Sequence, residues 1–248
     1  MLPYKTISKS YIMYNVHEYG QGNYRQGFGQ MDRYKRWLNR YSYKPFAKGE
    51  ILLYQGEVPN SVYVVKTGLV KIYNLTHEGD VNTLGFSVPL DILPTSWTFG
   101  KTQNALFFYE AALDTEVYVI SKYDFQEQLK NSYMQSYMLD HYISTYVSNM
   151  IRVNAMQYPR AMDKIIHTLF FLSMRFGKSV TQNNVVLGIK LTQQDIADLI
   201  GLTRETTGIE LNRLKKQGVL SFSKQIYTIN RAKLAKKMGE NEFLNINL

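Results

Sequence analysis

The 248-residue chain contains no cysteine. Disulfides, zinc–cysteine sites and thiolate-held iron–sulfur clusters therefore lie outside its chemistry. Histidine is almost as scarce, with only His17, His77, His141 and His167 at scattered positions. That leaves little to hold haem, and a cupin-like enzyme, which needs clustered His and carboxylate ligands, lacks its material. His77 falls in the polar run His77-Glu78-Gly79-Asp80 and reads as a turn residue. No Gly-rich phosphate loop, nucleophile elbow or paired His-Asp arrangement stands out, so the chain reads as a non-enzyme without a cofactor. There is no run of about 18 apolar residues and no apolar centre of a secretory signal near the amino terminus. A cytoplasmic protein with no membrane partner is the expectation.

Acidic residues are the minority, 20 against 29 Lys and Arg. The excess is uneven. From Arg160 to Leu248 there are 14 basic and 7 acidic residues, a balance of +7, whereas Met1 to Pro159 has 15 against 13, only +2. A basic balance gathered on one segment is the footprint of a surface that displaces counterions from a phosphate backbone.

Within that segment, Leu191 to Leu220 carries the strongest pattern, LTQQDIADLIGLTRETTGIELNRLKKQGVL. Thr192 is placed to cap a first helix that buries Ile196, Leu199 and Ile200, with Asp195 in its first turn, where a carboxylate suits the helix dipole. Gly201 stops that helix. Leu202 sits in the turn, Thr203 caps again, and Thr207, Leu211 and Leu214 give a second helix one inward stripe. Its other face opens with Arg204 and Glu205 and continues through Gly208, Ile209 and Asn212, and Gly218 ends it before a strand pair around Gly218 to Thr228. Such a winged helix-turn-helix either places its second helix in a major groove or serves as a plain packing unit. The charge distribution favours DNA, although Lys215, Lys216, Lys236 and Lys237 also suit an ordinary solvated face.

These residues resemble the Crp/Fnr superfamily of bacterial transcription regulators. The family's first helix begins T-x-Q-(D/E)-I-A, matched by Thr192, Gln194, Asp195, Ile196 and Ala197. Its recognition helix opens S/T-R-E-T-V-(S/G)-R, matched by Thr203, Arg204, Glu205, Thr206, Thr207 and Gly208 until Ile209 breaks the pattern. The resemblance implies that Arg204 donates to guanine O6 and N7 or to a phosphate, and that Glu205 accepts from cytosine N4 while orienting the Arg. It extends the expected DNA contacts to Thr192, Gln193, Gln194, Thr203, Thr206, Gly208, Ile209 and Asn212, with Lys224 in the wing. Ile209 stands where many relatives carry a second arginine and offers only apolar contact, for instance to a thymine methyl. The target site should therefore differ from the family's best-known ones.

The resemblance reaches back over most of the chain. Phe46, Gly49, Glu50, Ile51 and Gly56 fit the opening F-x-x-G-E-x-I-x-x-x-G of the family's sensory β-roll. The block SVYVVKTGLVKIYNLTHEGD alternates apolar and polar residues on both sides of Thr67-Gly68, as a half-buried hairpin does. Ala111, Ala112, Glu116, Val117, Val119 and Ile120 read as the last strand, and Lys122 to Leu129 as the start of a helix. Strand-rich then helix-rich order gives an α+β chain: an antiparallel, jelly-roll-like β-roll, a long dimerisation helix and a winged helix-turn-helix. The expected divisions are 41–130 for the cyclic-nucleotide-binding-like roll, 131–158 for the dimerisation helix and hinge, and 159–248 for the DNA-binding domain. Residues 1–40 fall outside the resemblance. They are rich in Tyr, Asn, Gln and Gly, as in YGQGNYRQGFGQ, a composition that buries little and often stays mobile.

Cyclic-nucleotide binders of the family hold the phosphate with an Arg-Ser or Arg-Thr pair. Those positions fall near Ala105 and Leu106 here, and no arginine occurs between Lys71 and Lys130. Without a bidentate guanidinium the roll should bind neither cAMP nor cGMP. Trp97, Phe99, Lys101, Phe107 and Tyr109 either surround a different small-molecule effector or, for the aromatics, simply pack the core. The roll senses an effector that is not a cyclic nucleotide, or it senses nothing.

Asn131 to Gln157 lacks Gly and Pro and should form one long helix, ended by Tyr158-Pro159 because Pro159 disfavours helical geometry in the residue before it. Within it Leu139, Ile143, Tyr146, Met150 and Val153 recur at alternating spacings of four and three, an a/d seam. Such a stripe either packs on its own roll or pairs two chains, and the resemblance implies a homodimer on an inverted-repeat site in double-stranded DNA, with RNA polymerase as a further partner. The alternative is a protein-interaction or non-specific DNA-binding module with a degenerate roll.

Overall fold

Tyr34, Trp37 and Leu38 have the i, i+3, i+4 spacing of a buried helical face, and all three are buried in the computed structural model, which describes residues 25–239. They lie on α1 (Arg25–Leu38), where Tyr34 meets Tyr137 at 4.7 Å between ring centroids and Trp37 meets Phe125 at 5.9 Å. The expectation that residues up to 40 bury little is thus corrected for this helix. Its Tyr and Trp side chains have large apolar bodies, whatever the polarity of the residues between them. Residues 1–24 lie outside the described part.

Eight short strands follow: β1 (Tyr43–Phe46), β2 (Ile51–Leu53), β3 (Val62–Thr67), β4 (Val70–Leu75), β5 (Val81–Ser87), β6 (Ile92–Leu93), β7 (Phe108–Ala111) and β8 (Thr115–Ile120), with the single-turn α2 (Thr95–Thr98) between β6 and β7. They form two antiparallel four-stranded sheets, ordered β1-β8-β3-β6 and β2-β7-β4-β5. A cluster including Phe46, Leu53, Val65, Val70, Tyr109 and Val117 draws on both sheets and forms the core of the roll.

The block around Thr67-Gly68 departs from expectation. β3 pairs with β8 and β6, whereas β4 pairs with β5 and β7, so the two strands are not a hairpin but belong to different sheets. Gly68 makes the crossing, with φ of +93° and so close an approach to Thr115 that a Cβ would clash with its Oγ1. Thr115 Oγ1 in turn accepts from the Leu69 amide at 3.1 Å. The residues expected as one last strand divide in the same way, Ala111 closing β7 and Glu116 to Ile120 lying in β8. The turn containing His77 does close a hairpin, β4 to β5.

Ser121 caps α3 (Lys122–Gln128) by accepting from the Asp124 amide. The long helix α4 (Ser132–Gln157) ends, as expected, just before Tyr158-Pro159. Next come α5 (Ala161–Phe176), β9 (Gly177–Thr181), β10 (Asn184–Leu187), α6 (Gln193–Ile200), α7 (Arg204–Lys216), β11 (Leu220–Ser223), β12 (Ile226–Asn230) and α8 (Arg231–Met238). The last four strands form one antiparallel sheet, β11-β12-β10-β9. The chain divides into two compact units, residues 25–141 with 197–201, and residues 142–196 with 202–239. No helix of the described residues is long and apolar enough to cross a membrane.

Candidate nucleic-acid interface

Both helices of the helix-turn-helix start from threonine caps. Thr192 Oγ1 accepts from the Asp195 amide at 3.0 Å while an Asp195 carboxylate oxygen accepts from the Thr192 amide at 2.8 Å, a reciprocal capping box with Asp in the third position. Thr203 Oγ1 accepts from the Thr206 amide at 3.2 Å. Gly201, at φ +64°, lets the chain leave α6 in the left-handed conformation and turn into α7. Ile196, Leu199 and Ile200 are buried on α6, and Thr207, Leu211 and Leu214 are fully buried on α7, so the inward stripes fall as the spacing predicts.

The outward face of α7 is set by that inward stripe. Arg204, Glu205, Ile209 and Asn212 are all exposed, as are Arg213 and Lys216 further along. Gly208 is not on this face. It is buried beneath Gln193, whose Oε1 would lie 2.8 Å from a Cβ at that position, so Gly208 provides clearance for the α6 side chain rather than a contact of its own. Arg213 was missed by sequence reasoning, although counting four residues on from Ile209 reaches it. Lys215 is exposed as well, with its Nζ 4.6 Å from the centroid of the Phe222 ring on β11.

The wing is the β11–β12 hairpin. Its two-residue turn, Lys224-Gln225, has positive φ at both positions, +48° and +67°, the backbone of a type I′ turn built without the usual Gly or Asn. The Gln225 carbonyl accepts from the Leu191 amide at 3.0 Å, which fixes the turn against the residue before the α6 cap. Beneath it Tyr227 is 1% exposed, and burial, with the Asp195 carboxylate adding to it, pushes its phenol up to about 12. Lys224 itself is exposed.

Two family models match this chain: a cyclic nucleotide-binding domain over residues 43–132 and a Crp-like helix-turn-helix domain over 163–237. The chain belongs to the Crp/Fnr family. This regulator is 25% identical over 195 residues to an anaerobic regulatory protein of Pasteurella multocida, covering 75% of its own length and 68% of the relative's. It is 26% identical over 202 residues to a fumarate and nitrate reduction regulatory protein of Vibrio cholerae, covering 79% and 78%. Its fold is shared with FixK2 from Bradyrhizobium japonicum, at a TM-score of 0.66 and 21% identity, over 79% of this chain and 96% of that one.

The roll of this Crp/Fnr regulator has no arginine between Lys71 and Lys130. Ala105, at the expected arginine position, is 2% exposed and belongs to the core cluster. Its amide donates to the Glu57 carbonyl and its carbonyl accepts from the Gly56 amide, both at 2.8 Å, so the two loops are joined through this residue. The five candidate effector residues fall in three surroundings. Tyr109 lies in the core between the sheets with Phe107 packed against it, whereas Trp97 sits under Lys122 Nζ at 4.2 Å and Phe99 meets Phe125 edge-on at 6.0 Å. Lys101 is exposed. Burial pushes the Tyr109 phenol up to about 12. Among the described residues no three His, Asp or Glu side chains gather as metal ligands.

On α4 the a/d seam is turned outward. Leu139, Ile143, Tyr146, Met150 and Val153 are 62, 43, 63, 45 and 42% exposed, while Met134, Tyr137 and Met138 on the other side are buried.

Proposed function

We propose that this regulator controls transcription as a homodimer that binds an inverted-repeat site in double-stranded DNA, through α7 in the major groove and the wing along the backbone. The reading rests chiefly on the outward face of α7, where Arg204 and Glu205 stand together at the amino-terminal end of a helix whose other face is anchored in the core. An exposed Arg-Glu pair there can satisfy guanine O6 and N7 and cytosine N4. The outward seam of α4 supplies the second half: two such heads, joined through it, address half-sites about 34 Å apart. The relatives named for regulation in anaerobic conditions and of fumarate and nitrate reduction support regulation of transcription rather than catalysis, with RNA polymerase as the further partner. Their shared family does not extend to thiolate-held clusters here, because the chain has no cysteine. Residues 43–132 act as a scaffold or as the receptor for an effector that is not a cyclic nucleotide, since Ala105 stands where the cationic group that holds a cyclic phosphate would be.

The test is selection of bound sequences from a random DNA pool at near-physiological salt, followed by two substitutions. An inverted repeat should be enriched. Arg204→Ala should weaken binding to it by about 1–3 kcal/mol and relax preference at one base pair, whereas Lys224→Ala should weaken specific and random DNA alike. Equal loss on both kinds of DNA for Arg204→Ala would refute base reading.

A further inference from the structure

Ile209 is an anomaly on the face that reads DNA. It is 60% exposed, in line with Glu205 and Asn212 and one turn before Arg213, on a helix surface otherwise built of charged and amide groups. Packing does not hold it there, for the inward stripe of α7 is Thr207, Leu211 and Leu214. Helix propensity does not favour it either, because β-branched residues are poorer helix formers than the Lys, Arg or Glu that usually fill exposed positions. Beside it Gly208 has no side chain and is covered by Gln193, which leaves Ile209 as the protruding apolar group at the centre of the face.

Resting on the DNA-reading role of α7, we infer that Ile209 is a specificity-determining residue that selects thymine by contact with its 5-methyl group. The major groove presents polar atoms at every base edge, and thymine alone adds a methyl group beside its O4 acceptor, where guanine shows acceptors, adenine an acceptor and an amino donor, and cytosine an amino donor. An isoleucine pressed against N7, O6 or an amino group would strip water from it and return no hydrogen bond, a penalty that acts against all three bases. Against the thymine methyl the same side chain buries apolar surface on both sides. Its stiff χ1 makes the contact pre-formed, so little rotamer freedom is lost on binding, in contrast to a long Lys or Arg. Ile209 is five residues beyond Arg204, about 7.5 Å along the axis at 1.5 Å per residue. At 3.4 Å per base pair the thymine should lie about two pairs from the base that Arg204 reads.

The experiment replaces each thymine of the selected half-site in turn by deoxyuridine, which removes the methyl alone. Wild-type protein should lose about fourfold in affinity at one position, the amount expected for burying one methyl group, and lose nothing at the others. Ile209→Ala should lose a similar factor on the thymine site and then be indifferent to deoxyuridine at that position. Because the residue is exposed, the variant should fold as the parent does, which its helix content by circular dichroism checks. Ile209→Arg, assayed by a second selection, should move the preference at that base pair toward guanine. An enriched site with no methyl-sensitive position, or a methyl sensitivity that survives in Ile209→Ala, overturns this inference alone. Failure to enrich any sequence overturns it together with the DNA-reading role of α7.

Discussion

Thr207 has the one hydroxyl on the inward stripe of α7, and that hydroxyl is fully buried without a hydrogen-bond partner among the described residues. A buried donor left unpaired costs roughly 1–3 kcal/mol, while valine has the same shape and no such group. Thr207→Val should therefore raise the stability of the helix-turn-helix by about 1 kcal/mol and leave base preference unchanged, which thermal melting and a repeat of the DNA selection would check. No change in melting, or a fall, would mean that the hydroxyl has a role within the fold. At this scale the sequence already pointed to much of the site, because caps and stripes are local: Thr192, Asp195 and Thr203 lie within three residues of the groups they satisfy. Spacing puts Gly208 on the outward face, yet it is buried, because its burial depends on where Gln193 of another helix falls. For the same reason spacing alone leaves open whether Trp97, Phe99, Phe107 and Tyr109 face a cavity or a core, since neighbours far along the chain decide it.

Among the elements, the wing is under the most evident backbone strain. Neither Lys224 nor Gln225 is suited to positive φ, and a left-handed residue other than Gly costs roughly 1–2 kcal/mol. Gln225→Gly should relieve that at one position and, after the greater unfolded-state freedom of glycine is deducted, stabilise the protein by about 0.5–1 kcal/mol. DNA affinity should be preserved, since Lys224 keeps its charge and the Gln225 carbonyl can still accept from Leu191. A lower denaturation midpoint would show that the side chain, not the backbone, governs this turn. Strands were easier to foresee than their partners. β3 and β4 both alternate as half-buried strands should, yet the Thr67-Gly68 turn that looked like a hairpin carries the chain between sheets, because the partner of β3 is β8, some fifty residues on. Pairing over such separations leaves no local trace. Tyr34, Trp37 and Leu38 of α1 did carry a helical signature, but it was masked by the Gly- and Gln-rich composition immediately before it.

At the scale of the whole molecule the outward seam of α4 dominates. Its five residues contribute little to the fold of one chain, so a charge placed among them should separate two chains without unfolding either. Tyr146→Asp and Met150→Asp should each shift the sedimentation coefficient from dimer to monomer, weaken operator binding at least about tenfold and leave helix content unchanged, because burying an unpaired carboxylate between two apolar stripes is strongly unfavourable. A dimer that persists in both variants would place the interface elsewhere. The same seam bears on how a cell could use the protein. Where single chains predominate at cellular concentrations and exchange with pairs, the species competent for a two-headed site grows with nearly the square of the amount synthesised. A twofold rise in production would then nearly quadruple occupancy at a weak promoter, so the output would track the history of expression more steeply than any single-headed reader could.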